Sequence, residues 1–329
     1  MSLLEVKDLS LDFSTVDGPV HALRGVSYSV EAGSVVGIVG ESGSGKTASS
    51  LAAMKLLPPN ATVTGGEILF QGRNVLALRE QEMRRLRGNK IAMIFQDPMT
   101  ALNPVDRISK QLGETIEYHQ RSATARQVRS AVLSMLTAVG VPDVQRRADQ
   151  YPHQWSGGMR QRAVIAMALL NEPDLIVADE PTASLDATVQ AQVLDLLATA
   201  QHERGCAIVM ISHDLALVSE IADHVVVMYA GQIAEQAPTA QIFTGSRHPY
   251  TRALLRARPG WGRRSERLPT IPGRPPDLLH PPRACNFVDR CAERNGLALC
   301  ATMAPELRVL GPSHQSACHR ADELEPMEV

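Results

Sequence analysis

Gly40-Glu41-Ser42-Gly43-Ser44-Gly45-Lys46-Thr47 decides the reading of this chain. The stretch fits G-x-x-x-x-G-K-[ST], a loop whose glycines let backbone N–H groups turn onto phosphate oxygens. Val35-Val36-Gly37-Ile38-Val39 runs into it as a short buried strand. Residues 47–54 run out of it as a helix, which completes the strand–loop–helix setting of a P-loop. The helix N-terminus adds its positive end to the cradle made by Gly40, Ser42, Gly43, Ser44 and Gly45. Lys46 is expected to reach the β- and γ-phosphates of a nucleotide, with the Thr47 hydroxyl on Mg²⁺. The bland alternative, a Gly-Ser loop with a chance lysine, loses ground with each motif downstream.

Asp174-Leu175-Ile176-Val177-Ala178-Asp179-Glu180 reads as an apolar strand ending in two acids. After a P-loop this is the Walker B pattern, with Asp179 toward Mg²⁺ and Glu180 toward the attacking water. Adjacent carboxylates at the end of a buried strand call for cationic company. Ile91-Ala92-Met93-Ile94-Phe95 is a second buried strand and delivers Gln96 at its C-terminal end, where ligand-facing residues gather in α/β sheets. Trp155-Ser156-Gly157-Gly158-Met159 opens a long helix with a serine cap and bare N–H groups, either an ordinary N-cap or a second anion site. Pro181-Thr182-Ala183-Ser184-Leu185-Asp186 is a loop before another helix. Residues 207–212 form a further strand that ends at His213, which either caps or touches a γ-phosphate.

Outward from this core, residues 4–13 alternate as a half-buried strand ending at Phe13, which is core or an adenine-stacking ring. Residues 20–23 and 26–30 read as two more strands, and Gly65-Gly66 as a turn before another. Residues 79–87 read as a charged helix. Residues 100–170 read as an all-helical insertion, with Val128, Val132, Leu133, Leu136 and Val139 on one face. Residues 224–229 and 231–236 read as a hairpin, and residues 258–282 as a Pro- and Gly-rich wrap. The expected fold class is α/β: a parallel core with an antiparallel β preface and the helical insertion. The expected domains are residues 1–257 and a small extension, residues 258–329.

Lys plus Arg total 33 and Asp plus Glu 35, for a formal charge of −2, and only 4% of residues are aromatic. Neither figure suits a nucleic-acid surface. No apolar run approaches the ~20 residues that span a bilayer, and the N-terminus lacks a basic-then-apolar signal. The chain is expected in the cytosol, with any membrane part supplied by other chains.

In order and spacing, the set resembles the ATP-binding cassette (ABC) ATPases over residues 3–250 or so. The resemblance implies a head-to-tail pair of cassettes with ATP between Lys46 of one and Ser156-Gly157-Gly158 of the other. It also implies adenine stacking at Phe13, γ-phosphate sensing and permease contact at Gln96, and a Mg²⁺ site at Thr47, Gln96 and Asp179. Glu180 matches the catalytic base, Asp186 the D-loop and His213 the switch histidine. Trp155 and Met159 stand where the wider superfamily has Leu and Gln, but the Ser-Gly-Gly core is intact.

His248-Pro249-Tyr250-Thr251, Ile271-Pro272-Gly273-Arg274-Pro275-Pro276 and Cys285-Asn286-Phe287-Val288-Asp289-Arg290-Cys291 resemble the tail of dipeptide/oligopeptide and nickel importer ATPases. That narrower resemblance implies a paralogous second cassette, two separate permease subunits and an extracytoplasmic solute-binding protein. The implied location is peripheral, on the cytoplasmic face of the inner membrane. The solute stays open between peptide, nickel and another small molecule. A soluble non-transport cassette and an iron–sulfur scaffold with secondary ATP binding are the rival readings. Cys285, Cys291, Cys300 and Cys318 are spaced C-x5-C-x8-C-x17-C, unlike the paired C-x2-C of zinc ribbons. Four thiolates in a cytosolic tail suit a [4Fe–4S] cluster, which the resemblance also implies. Zn²⁺ and unligated thiols are the alternatives.

Overall fold

The structure is a computed structural model that describes residues 2–183, 185–257 and 270–325. It divides into two compact units. Ser184 and residues 258–269, part of the expected loop and wrap, lie outside the described residues.

One unit holds residues 30–34 and 77–210. Its strands Ile91–Ile94 and Leu175–Asp179 pair in parallel, with Ile91 opposite Leu175 and Ile94 opposite Ala178. All five residues of the second strand are buried. Buried on both faces, such strands read as continuous apolar runs rather than alternation. Helices Ile108–His119, Ala125–Ala138 and Gly157–Leu169 form the expected helical insertion. Thr124 and Gln127 start the middle helix with a reciprocal capping box. Its inward stripe is Val128, Val132, Met135 and Leu136, while Leu133 is only half-buried. Leu133 stands about 140° round the helix from Val128, and Met135 takes its place on the true 3.6-residue period.

The other unit holds residues 2–29, 35–76 and 211–329. Strands Ser2–Thr15, Gly18–Glu31, Ala61–Phe70 and Arg73–Asn74 make a four-stranded sheet. The two strands expected at 20–23 and 26–30 are one. Gly65-Gly66 is no turn either: both lie inside Ala61–Phe70, where the register against Ser2–Thr15 shifts between Lys7 and Leu11. The second sheet of this unit centres on Val35–Val39, parallel to His224–Tyr229, which pairs antiparallel with Gln232–Pro238. The tail adds two strands that sequence reasoning missed. His314–Ser316 pairs antiparallel with Gln232–Pro238, and Arg308–Gly311 pairs outside it. That join buries Glu235 completely, with His314 Nε2 2.8 Å from one carboxylate oxygen. Residues 270–282 carry no helix or strand and lie along the first sheet, where Leu278 O accepts from His21 N–H at 2.9 Å.

Candidate functional site

The loop after Val35–Val39 is closed to side chains at two points. A Cβ on Gly40 would lie 2.2 Å from Met228 O and 2.8 Å from Ser44 Oγ. A Cβ on Gly45 would lie 2.7 Å from Leu23 Cδ2 and 2.8 Å from Ala22 O. Packing therefore fixes the loop path as well as glycine's freedom at φ 156° and 101°. The helix Lys46–Ala53 begins without a side-chain cap and without an acid in its first turn. Its first N–H groups lack intrahelical acceptors by construction, which makes such an end ready for an anion. Lys46 is 6% exposed and donates to Gly40 O at 2.7 Å and Glu41 O at 3.0 Å. Ser44 Oγ is buried with no hydrogen-bond partner among the described residues. An orphaned hydroxyl beside bare helix donors fits a phosphate-binding loop. Thr47 is exposed at the helix start, beside Lys46. In the same unit Phe13 is half-buried in its strand, opposite Ala61, and His213 is exposed just past Ala207–Ser212.

The remaining predicted residues belong to the unit of the helical insertion. Asp179 ends its strand 5% exposed. Glu180 follows at φ 46°, a left-handed backbone that a non-glycine residue holds at a cost of about 1–3 kcal/mol. Gln96 Nε2 donates to Glu180 Oε2 at 2.9 Å, so the ends of two parallel strands bring amide and carboxylate together. Ser156 caps the helix Gly157–Leu169 by accepting from Met159 N–H at 3.3 Å, and Gly157 faces open space. A Cβ on Gly158 would press Val189 Cγ1 at 3.1 Å. Asp186 caps the helix Ala187–Arg204 through Val189 N–H at 3.0 Å.

In the tail, Cys285, Cys291, Cys300 and Cys318 line one cavity, with His248 and Phe287 among its walls. Burial pushes the Cys285 thiol up to about 11 and the Cys318 thiol up to about 12. The neighbouring thiols push in the same direction. Among the described residues no group of three or more His, Cys, Asp or Glu is placed to hold a metal ion, so the metal expected there finds no ready-made coordination sphere. Two further residues were missed. Tyr250 OH accepts from Glu41 N–H at 2.8 Å, and Arg290 meets the Glu41 carboxylate. Both lie in stretches already quoted for the tail, but no local pattern announces contacts 209 and 249 positions apart.

A family model described as ABC transporter matches residues 23–183. A second, described as oligopeptide/dipeptide transporter, C-terminal region, matches residues 234–296. The dipeptide transport ATP-binding protein of Bacillus subtilis is 46% identical over 322 residues, 98% of this chain and 95% of that one. The oligopeptide transport ATP-binding protein of Escherichia coli is 46% identical over 322 residues, 98% of this chain and 94% of that one. Among solved structures, a dimeric ATP-binding cassette in a post-hydrolysis state, bound to ADP and Pi, superposes with a TM-score of 0.66. It is 26% identical, over 72% of this chain and 98% of that one. The phosphate-ready loop, the acid-tipped strand and near full-length likeness make this chain a member of the ABC transporter ATP-binding protein family, in the branch that carries the oligopeptide/dipeptide transporter C-terminal region.

Proposed function

We propose that this chain is the ATP-hydrolysing subunit of a peptide importer. It would work beside a second, paralogous cassette on the cytoplasmic face of the inner membrane. Two permease subunits and an extracytoplasmic solute-binding protein would complete the machine. The observation that carries the ATPase reading is the loop shut at Gly40 and Gly45 before an uncapped helix, with the Ser44 hydroxyl awaiting an acceptor or donor. The peptide reading rests on the names of relatives that match 98% of the chain, tail included. Among the described residues no helix is long and apolar enough to cross a membrane.

In this reading residues 1–257 bind ATP and residues 258–329 are an extension. Lys46 and the N–H groups of residues 42–47 hold the β- and γ-phosphates, and Phe13 stacks on the adenine. Mg²⁺, held by Thr47, Asp179 and Gln96, would offset charge on the β- and γ-oxygens. Glu180 takes the proton of the attacking water, and the Gln96 amide holds its carboxylate in place. His213 contacts the γ-phosphate, while Ser156-Gly157-Gly158 and Asp186 serve the nucleotide of the facing cassette. Water attacks the terminal phosphorus, ADP leaves, and the proton passes through Glu180 to phosphate.

The four-cysteine cavity is proposed to hold a [4Fe–4S] cluster, with Zn²⁺ as the second reading. The thiols of Cys285, Cys291 and Cys318, which burial makes harder to ionise, need a nearby cation to become thiolates. One Zn²⁺ draws its sulfurs to about 2.3 Å from a single point, whereas a cubane spreads its four ligands over separate irons. It would cross-link the tail through Cys285, Cys291, Cys300 and Cys318.

Reconstitution tests the function. The chain, purified with its co-purifying membrane subunits and set in vesicles, should import labelled dipeptides or oligopeptides only when ATP faces it. Nickel uptake without peptide uptake would move the assignment to the metal. Phosphate release indifferent to any permease would move it to a soluble cassette.

A further inference from the structure

Glu41 is an acid inside the loop that is to receive a polyanion. An unpaired carboxylate there would repel phosphate, and in a low-dielectric setting that repulsion is not small. The loop lies next to a countercharge from far along the chain. Arg290 Nη1 and Nη2 donate to Glu41 Oε2 and Oε1 at 2.8 and 2.9 Å, a two-pronged pair. Such planar forks are the strongest of the charge-assisted bonds.

Arg290 is itself held from every side. It is 8% exposed. Its Nε donates to Pro272 O at 2.8 Å, and Nη1 also donates to Tyr229 OH at 3.1 Å. The guanidinium carbon lies 5.7 Å from the Tyr229 ring centre and 5.8 Å from that of Phe287. A Cβ on Gly273, at φ 76°, would approach Arg290 Cγ to 3.3 Å. The Pro272-Gly273 turn is thus a bracket for this one side chain. The Tyr250 hydroxyl, accepting from Glu41 N–H, fixes the backbone of the same residue. Tyr229, Tyr250 and Phe287 pack ring against ring around the assembly.

We propose that Arg290 is a positioning residue for nucleotide binding: it cancels the Glu41 charge beside the phosphate loop and ties that loop to the four-cysteine tail. The inference rests on the reading of residues 40–47 as the phosphate cradle, and the experiment separates the two.

The measurement is MgATP affinity of the full-length chain by titration calorimetry, with thermal unfolding alongside. Lys46→Ala tests the cradle and should abolish measurable binding. Arg290→Gln should weaken binding about tenfold, and adding Glu41→Gln to it should restore affinity to within threefold, because the exposed charge is gone. Arg308→Gln, which breaks an exposed pair with Asp322 and a bond to Cys318 O in the same tail but touches nothing of the loop, should bind like the parent. If Arg290→Gln does not fold, Glu41→Gln and the double variant carry the test, and both should bind at least as tightly as a threefold loss allows. Normal binding by Lys46→Ala would remove the cradle and this inference with it. Normal binding by Arg290→Gln with Lys46→Ala impaired, an unrescued double variant, or a tenfold loss in Glu41→Gln alone would each overturn the inference and leave the cradle standing.

Discussion

Gly40→Ala tests the phosphate loop where the structure leaves least room. The added Cβ would lie 2.2 Å from the Met228 carbonyl oxygen. Ordinary carbon contacts begin near 3.4 Å, so loop and strand must part by about 1 Å. Met228 sits in a strand whose parallel partner leads into the loop, and both are buried, so the loop is the element that gives. A misplacement of about 1 Å in a positioned site costs on the order of a hundredfold, equivalent to about 2.7 kcal/mol. The backbone strain at φ 156° adds about 1–3 kcal/mol of lost stability. Gly205→Ala is the matched control: at φ 66° it meets nothing within 4 Å, so it should cost about 1 kcal/mol of stability and leave nucleotide affinity alone. Calorimetric titration with MgATP and thermal unfolding of both variants decide the matter. A Gly40→Ala protein that binds MgATP within threefold of the parent would refute the steric argument.

Three other expectations follow from buried groups. Burial lowers the His248 ring from 6.5 to about 4, against the opposing pull of Glu235, and its Nδ1 accepts from Tyr250 N–H. The unfolded chain protonates near 6.5 and the folded one only near 4, so this stabilisation is whole above 6.5 and drains away as pH falls toward 4, by about 3 kcal/mol. Denaturation at pH 7 and pH 4.5 should show a steeper loss for the parent than for His248→Gln; equal slopes would contradict it. Cys291→Ser, purified without oxygen, should lack the iron and the brown absorption expected of the parent, and an iron-free parent would end the cluster proposal. Burial pushes Cys206 up to about 12, so at pH 8 iodoacetamide should leave it unmodified until the chain unfolds.

Local chemistry was the legible part of the chain. The P-loop strand and helix, the acid-tipped strand 175–179 and the hairpin at 224–238 are each coded within about twenty consecutive residues. Gly65-Gly66 misled because a glycine pair marks turns by its neighbours alone. Here Gly66 sits where a Cβ would strike Lys7 O at 2.4 Å, an irregularity imposed by a strand sixty residues away. The strand pair at 308–316 escaped notice for the same reason: it is too short to alternate, and it exists by pairing with Gln232–Pro238. The Glu41–Arg290 contact spans 249 positions, beyond the reach of any spacing rule. Within the site, the ingredients were readable and the Gln96–Glu180 bond was not, since it depends on the parallel register of two strands.

Phosphate release by the assembled transporter, compared between the parent and Glu180→Gln at saturating MgATP, bears most directly on the central claim. The amide cannot accept the water's proton, so turnover should fall by about 10²–10⁴ while MgATP still binds within a few-fold. Turnover that survives the substitution unchanged would show that the carboxylate held by Gln96 is not where hydrolysis happens.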